Sequence, residues 1–357
     1  MEIHQILVAA SPGDAITNEA LLMRRLFRRI GRSEIFAHYI DARLPDVLPL
    51  AAYPERASGL RADNLLVAHA SIGESPVFEF LLQRRERLVL RYHNVTPAEV
   101  FEPFDHVFAC RLRAGRQEVA ALRQRTTLAV AASAYNAAEL ADMGYRDVAV
   151  VPLLVDFDGL TRTPPREPER FDLSGEPRPP VVLFVGRMVP NKNHPALLKT
   201  HHVLRTYRRF DARLVLVGTS HFATYVASLE RFARELALPG VVFAGAIPVA
   251  ELAWLYQRAD AFLCLSSHEG FCAPLVEAMA FDTPVVAWSS SAVGQTVGDA
   301  GILIDEPSPL MAAEAVDAVL GDPGLAAALV ARGRRRAAEY SLDRTGSALL
   351  QRLLEVA

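Results

Sequence analysis

The stretch Ala261–Phe281, AFLCLSSHEGFCAPLVEAMAF, contains the structural step from which the whole chain is built. It opens with a short apolar run, AFLCLS (261–266), of the kind that forms a strand buried on both faces. Glu269-Gly270-Phe271-Cys272-Ala273 breaks that run, and Pro274 then takes the first position of a helix, where its missing N–H costs nothing. Leu275, Val276 and Met279 give the helix its apolar side, with Glu277 in its first turn. The stretch therefore reads as one strand–loop–helix step of a parallel α/β sheet.

The same step recurs on both sides. Strands are predicted at VVLFVG (181–186), RLVLVG (213–218), VVFAG (241–245), PVVAW (284–288) and ILID (302–305), each followed by a helical segment. In the first half they are predicted at HQILVAA (4–10), EIFAHYI (34–40), NLLVAHA (64–70), RLVLRYH (87–93), TLAVAA (127–132) and DVAVVP (147–152), with helix-period segments between them such as NEALLMRRLFRRI (18–30). The stretch 161–180, TRTPPREPERFDLSGEPRPP, has six prolines in twenty residues and suits neither helix nor strand, so it reads as a linker. The expectation is two Rossmann-like, doubly wound α/β domains facing a central cleft: 1–160, linker 161–180, and 181–341, with a final helix in 342–357. Ligands of such sheets sit outside the C-terminal ends of the strands, so the loops just after each strand are where chemistry is sought.

Composition narrows the function classes. At 357 residues, with 51% hydrophobic and 22% charged residues, the chain can fill two ordinary cores. No apolar run reaches the length of a bilayer span, and the N-terminus MEIHQILVAASPGD reads as a first strand and not as a signal peptide. Cys110, Cys264 and Cys272 form no CxxC pair, which points to a reducing, cytoplasmic setting with neither disulfides nor a structural zinc. A net charge of −3 excludes nucleic-acid binding by bulk electrostatics. Of the 38 basic residues only Lys192 and Lys199 are lysines, so a lysine retained here is a candidate for a role arginine cannot fill.

Several post-strand loops carry candidate residues. Gly186-Arg187 and Lys192 lie between a strand and a helix that Pro195 opens, a place that favours anions; the alternative is a pair of solvated surface cations. The backbone N–H groups of Glu269–Ala273, at the start of the next helix, suit a phosphate or sugar hydroxyls. Glu277 is either a ligand or simply an acid favoured by the helix dipole, whereas Glu269 has no comparable structural excuse. In the first half, His93 ends a strand and serves either a site or the structure alone, while Gly13 and His69 lie in loops of ordinary turn composition. There is no GxGxxG after a strand and no P-loop, and Asp156-Phe157-Asp158 reads as a surface turn and not as a metal site. Arg24, Arg25, Arg28 and Arg29 oppose an apolar stripe, which is either an ordinary solvated face or a contact to anionic membrane lipid.

Gly186-Arg187, Lys192-Asn193 and Glu269-Gly-Phe with a second acid at Glu277 together resemble the family 4 retaining glycosyltransferases. The resemblance extends over nearly the whole chain, through SPGDAITNEALLMRRLFRRIG, YHNVTP and ASAYNAAEL. It implies the GT-B fold, with the final helix crossing back to the first domain, and transfer of a hexose from a UDP- or GDP-sugar to a glycan or lipid-linked acceptor. No cofactor or metal is implied; the nucleotide-sugar is a co-substrate. Arg187 and Lys192 would bind the diphosphate, Glu277 the ribose and Glu269 the sugar, with His93 near the reacting face. Gly13, Gly186, Gly218, Ile247 and the backbone of Gly270, Phe271, Cys272 and Ala273 would complete the donor site. Cys272 and Ala273 depart from the Gly and Leu or Val usual there. Peripheral contact with the inner face of a membrane is a further expectation. A nucleotide-sugar 2-epimerase and a non-catalytic binding subunit are the alternatives that the same fold admits.

Overall fold

The computed structural model describes residues 1–56, 64–171, 173, 178–209, 211–220 and 222–357. The chain divides into two compact units, Met1–Asp156 with Tyr340–Ala357, and Phe157–Glu339. The first is built on seven parallel strands: β1 (Ile3–Ala10), β2 (Ile35–Ile40), β3 (Leu48–Pro49), β4 (Leu65–Ala70), β5 (Arg87–Tyr92), β6 (Thr126–Ala131) and β7 (Val148–Val150). The second has six: β8 (Val181–Val185), β9 (Arg213–Val217), β10 (Val241–Gly245), β11 (Ala261–Cys264), β12 (Val285–Trp288) and β13 (Gly301–Ile304). The twelve strands read from the sequence are all present, with ends shifted by one or two residues. Among the described residues, only the two-residue β3, too short to show a period, escaped the sequence.

The strand orders are β3-β2-β1-β4-β5-β6-β7 and β10-β9-β8-β11-β12-β13. In each, the chain leaves the first strand toward one edge and later returns to pair on its other side. The loops after β1 and β4, and after β8 and β11, therefore part to opposite faces and leave a crevice at the strand ends. Burial explains why the sheets are parallel. In β4, Leu65 and Val67 enter one core with Met23, Phe27 and Val89, while Leu66 and Ala68 enter another with Ile6, Phe36 and Leu88. A strand buried on both faces needs a helix layer on each, and βα crossovers supply it.

The helix expected at 18–30 runs Ala15–Phe27, because Asp14 caps it: its carboxylate accepts from the N–H groups of Ile16 at 3.1 Å and Thr17 at 3.0 Å. Its arginine face is divided. Arg24 is buried and donates to the Asp46 carbonyl at 2.7 Å, while Arg28 pairs with Glu34 at 2.9 Å. Asp158 lies within a short helix, Phe157–Thr161, where a turn was expected. The proline-rich stretch lies in the second unit; residues 172 and 174–177 of it fall outside the described residues. Arg166 and Arg170 of that stretch both pair with Glu251, on the helix Val249–Arg258. The last helix, Leu342–Leu354, belongs to the first unit, where Leu349 and Leu353 join Met23 and Phe27 in one core. Burying such a pair of leucines contributes about 2 kcal/mol each. Among the described residues, no helix is long and apolar enough to cross a membrane.

Candidate active site

The second unit gathers its candidate residues at the switch point between β8 and β11. After β8 the chain turns through Gly186 into an exposed Arg187, then through one 3-10 turn, Pro190–Lys192, into the helix His194–Tyr207. Gly186 and Gly218 allow this turn to close. A Cβ on Gly218, whose φ is +145°, would sit 1.9 Å from the Gly186 carbonyl oxygen, so no side chain fits there. Asn193 takes the left-handed conformation, φ 54°, which asparagine tolerates, and so aims the following helix.

After β11 the loop carries Glu269 back toward that turn. Lys192 Nζ lies 2.5 Å from Glu269 Oε1, with both side chains largely buried. Burial alone would lower the Lys192 pKa, but the Glu269 carboxylate and then the Cys272 and Cys264 thiols outweigh it and leave it raised. Asn191, buried between the two loops, stitches them together. Its side-chain amide donates to the His268 carbonyl at 3.0 Å, and its own carbonyl accepts from Ser267 N–H at 2.8 Å. Ser291, just beyond β12, accepts from the Glu269 N–H at 2.8 Å. Arg187 contrasts with Lys192: among the described residues its guanidinium has no hydrogen bond and no ion pair. The loop after β8 thus carries one exposed, uncommitted cation and one buried cation committed to Glu269.

The helix Ala273–Ala280 begins one residue earlier than read from the sequence, with Cys272 as its cap and Pro274 within the first turn. That shift corrects the placement of Glu277, which lies in the second turn and not the first, so the helix dipole does not account for it. Its carboxylate instead accepts from the Tyr256 hydroxyl at 2.7 Å. Burial raises the Glu277 pKa, and this hydrogen bond works against the rise. Among the described residues, the N–H groups of Gly270, Cys272 and Ala273 find no acceptor, as the first turn of a helix requires unless a ligand supplies one. Cys272 holds φ 72°, a left-handed conformation that suits glycine, in keeping with the glycine usual there. Its thiol lies 4.0 Å from that of Cys264, and this contact first, then burial, pushes the Cys272 pKa well up. Ile247 is half-buried in the loop after β10 and Gly245 ends that strand at φ 63°.

In the first unit, Gly13 sits at φ 79° in the turn after β1, with open space where a Cβ would be. His93 directly follows β5, and Asn94 at φ 90° turns the chain away behind it. The His93 side chain is almost fully buried and stacks on His69, which lies in β4, with Nε2 2.8 Å from His69 Nδ1. Beneath them Arg91 and Glu19, both fully buried, form a two-point pair at 2.6 and 3.2 Å; Arg91 also donates to the Val151 and Pro152 carbonyls, and Glu19 accepts from Leu154 N–H. Sequence reasoning missed Glu19, Gln5, Asn191, Tyr256 and Ser291. Each is an ordinary residue of an element or a loop, and only the sheet order brings it to the strand ends.

Among the described residues, two clusters have donor sets that could hold a metal: Cys264, Glu269 and Cys272, and Glu19, His69 and His93, each with its atoms within 4.8 Å of one another. In both, the carboxylate already serves a cation, Lys192 in one and Arg91 in the other.

Comparison with known proteins bears on the fold and the relatives of the chain. Residues 165–336 match the family model of glycosyl transferases group 1. The chain is 33% identical over 220 residues to a D-inositol 3-phosphate glycosyltransferase of Kineococcus radiotolerans, covering 57% of this chain and 51% of that protein. It is 33% identical over 217 residues to a GDP-mannose-dependent alpha-(1-6)-phosphatidylinositol monomannoside mannosyltransferase of Mycolicibacterium smegmatis, covering 57% and 55%. The chain thus spans about half the length of the curated relatives it matches. The crystal structure of HepE from Anabaena, solved with UDP-glucose, shares the GT-B fold at a TM-score of 0.77 and 19% identity, covering 99% of this chain and 100% of that one. Over residues 165–336, just under half of its length, the chain is thus similar to the glycosyl transferases group 1 family.

Proposed function

We propose that the protein is a retaining glycosyltransferase that moves a hexose from a UDP- or GDP-sugar to a sugar-containing acceptor, a glycan or a lipid-linked intermediate, without a metal ion. The observation that carries this reading is the meeting of Lys192 and Glu269 at the strand ends, beside the uncommitted Arg187 and the unsatisfied N–H groups of the Ala273 helix start. A leaving nucleoside diphosphate develops negative charge as its bond to the sugar breaks, and the anomeric carbon becomes cationic. Arg187, Lys192 and the N–H groups at 270, 272 and 273 offer fixed positive charge for the first need. Glu269 offers hydrogen-bond acceptance to the sugar and negative charge near the second.

In this reading Lys192 and Glu269 hold each other's place until the donor arrives. The diphosphate then takes the ammonium and the sugar hydroxyls take the carboxylate, so neither charge is left buried and alone. Glu277, steadied by Tyr256, receives the ribose hydroxyls. The hexose donor is supported by the mannosyltransferase among the relatives, which is GDP-mannose-dependent. The test is incubation of the full chain with UDP- and GDP-hexoses, with and without sugar acceptors and with a chelator present, followed by product analysis and assignment of the new anomeric centre. Transfer with retained configuration in chelator is expected. Isomerised donor without acceptor would instead mark 2-epimerase chemistry, and binding without any turnover a non-catalytic subunit.

A further inference from the structure

His93 and His69 are consecutive links in a chain of hydrogen bonds whose direction can be read from its far end. Gln5, fully buried in β1, donates from Nε2 to the Ala20 carbonyl at 3.0 Å. That bond fixes the amide, because the reversed amide would set two oxygens against each other at the same distance. Gln5 Oε1 therefore faces His69 Nε2, 3.0 Å away, and since an amide oxygen only accepts, His69 carries its proton on Nε2. A neutral imidazole has one N–H, so His69 Nδ1 is a bare lone pair. His93 Nε2 lies 2.8 Å from it and must then be the donor. Glu19 Oε2, 3.6 Å from the same nitrogen and too far for a hydrogen bond, adds negative charge on that side and agrees. Burial first holds both rings neutral, helped at His69 by His93 and at His93 by Arg91. What remains is His93 Nδ1, unprotonated and, among the described residues, without a partner.

We propose that Gln5 and His69 are positioning residues that lock His93 in its Nε2–H tautomer, so that His93 presents a bare Nδ1 lone pair, an acceptor for a sugar hydroxyl, at the strand ends of the first unit. The sugar half rests on the function proposed above; the lock stands on the hydrogen-bond chain alone. A lone pair at this place accepts and does not donate. It matches a sugar bearing a hydroxyl there and disfavours one bearing a carboxylate, so a neutral hexose is selected over a uronic acid. A metal does not fit the same three side chains. Two imidazoles on one tetrahedral ion hold their nitrogens about 3.3 Å apart, wider than the contact here, and Glu19 is held on both oxygens by Arg91.

The direct test is long-range nitrogen–proton correlation NMR on the full chain carrying ring-labelled histidine, with His93 assigned by loss of its signals in His93→Gln. Wild-type protein at neutral pH is expected to show His93 protonated at Nε2 and bare at Nδ1. A proton on Nδ1, or on both nitrogens, overturns the lock. His69→Phe keeps a ring stacked on His93 but removes the acceptor, and Gln5→Leu acts one link further away. Both are expected to bring the other tautomer into the His93 signals and to raise the KM of the sugar substrate about fivefold, with nucleoside diphosphate affinity unchanged. An unchanged His93 tautomer in both variants overturns the positioning role. If the tautomer behaves as expected but a uronic acid substrate is used as well as its hexose counterpart, or no sugar substrate is bound, the sugar half falls and the lock stands.

Discussion

Lys192 and Glu269 stand 77 residues apart in the chain, yet Nζ and Oε1 meet at 2.5 Å in a largely buried pair. Removing either partner alone leaves the other charge buried, at a cost on the order of 3 kcal/mol. Lys192→Ala and Glu269→Ala are therefore expected to lower the denaturant midpoint clearly, and the double variant Lys192→Met/Glu269→Gln to recover most of it. None of the three is expected to transfer sugar. Wild-type stability in either single variant would show that the pair is not buried as described; Lys192→Arg is expected to restore charge without activity, since the compact ammonium is what fits.

Glu277 and Tyr256 give a second, separable outcome. If the Glu277 carboxylate holds ribose hydroxyls, Glu277→Ala should weaken binding of a ribonucleoside diphosphate about tenfold, and binding of its dideoxyribose analogue hardly at all. Calorimetric titration of both ligands decides this. Equal losses for the two ligands would remove Glu277 from the ribose. Tyr256→Phe, which takes away only the 2.7 Å donor, should fall between wild type and Glu277→Ala.

Buried histidines set an acid limit on the fold. Burial lowers His194 to about 3 and His201 to about 4, and His69 and His93 are also pushed well below 6.5. A lowered histidine pKa means the unfolded chain takes up protons that the folded one refuses. Above the unfolded value there is no difference between the states; below it, stability falls with pH until the folded value is reached. At about pH 5 each such histidine costs on the order of 2 kcal/mol. Chemical denaturation between neutral pH and about pH 5 should show this decline. A flat profile over that range would mean these rings are solvated.

Cys272 occupies a glycine's conformation. Cys272→Gly relieves the left-handed strain, which is worth about 1 kcal/mol, against the loss of a small buried side chain. Stability within about 1 kcal/mol of wild type and donor affinity within a few-fold are expected, because the ligand contacts run through backbone N–H groups. Cys272→Val, branched at Cβ, is expected to cost about 2 kcal/mol and to weaken donor binding. Thermal melts and titrations of the two variants separate these outcomes; tolerance of valine would mean the backbone at 272 is not constrained.

How much of this was legible in the sequence follows from what each signal depends on. The strands and their helices were readable because βα steps write themselves locally: apolar runs such as VVLFVG and AFLCLS, punctuated by Gly186 or Glu269-Gly270, need no knowledge of distant partners. The two-residue β3 has no period to read, and the cap at Asp14 moved a helix that apolar pattern alone had placed three residues late. Arg187, Lys192, Glu269 and Glu277 were visible as charges in or beside post-strand loops. What the sequence did not disclose were their supports. Asn191 is one polar residue among several in its loop until it is seen to bridge to His268 and Ser267. Glu19 lies inside a helix that reads as amphipathic surface, and its burial under Arg91 depends on β5 lying one strand beyond β4. Gln5 resembles any polar residue in a strand. Its role is set by a contact to a histidine 64 residues away.

The most direct test of the donor site uses Arg187, because its side chain is exposed and has no partner among the described residues to leave stranded. Thermal unfolding of wild type and Arg187→Ala should be recorded alone and with saturating UDP, GDP or ADP. The two proteins are expected to unfold at the same temperature without ligand. UDP or GDP should raise the wild-type midpoint by several degrees, as binding to the native state requires, and most of that rise should vanish in the variant. A wild type indifferent to all three diphosphates, or an Arg187→Ala that responds as fully as wild type, would contradict a nucleotide-sugar site at these loops.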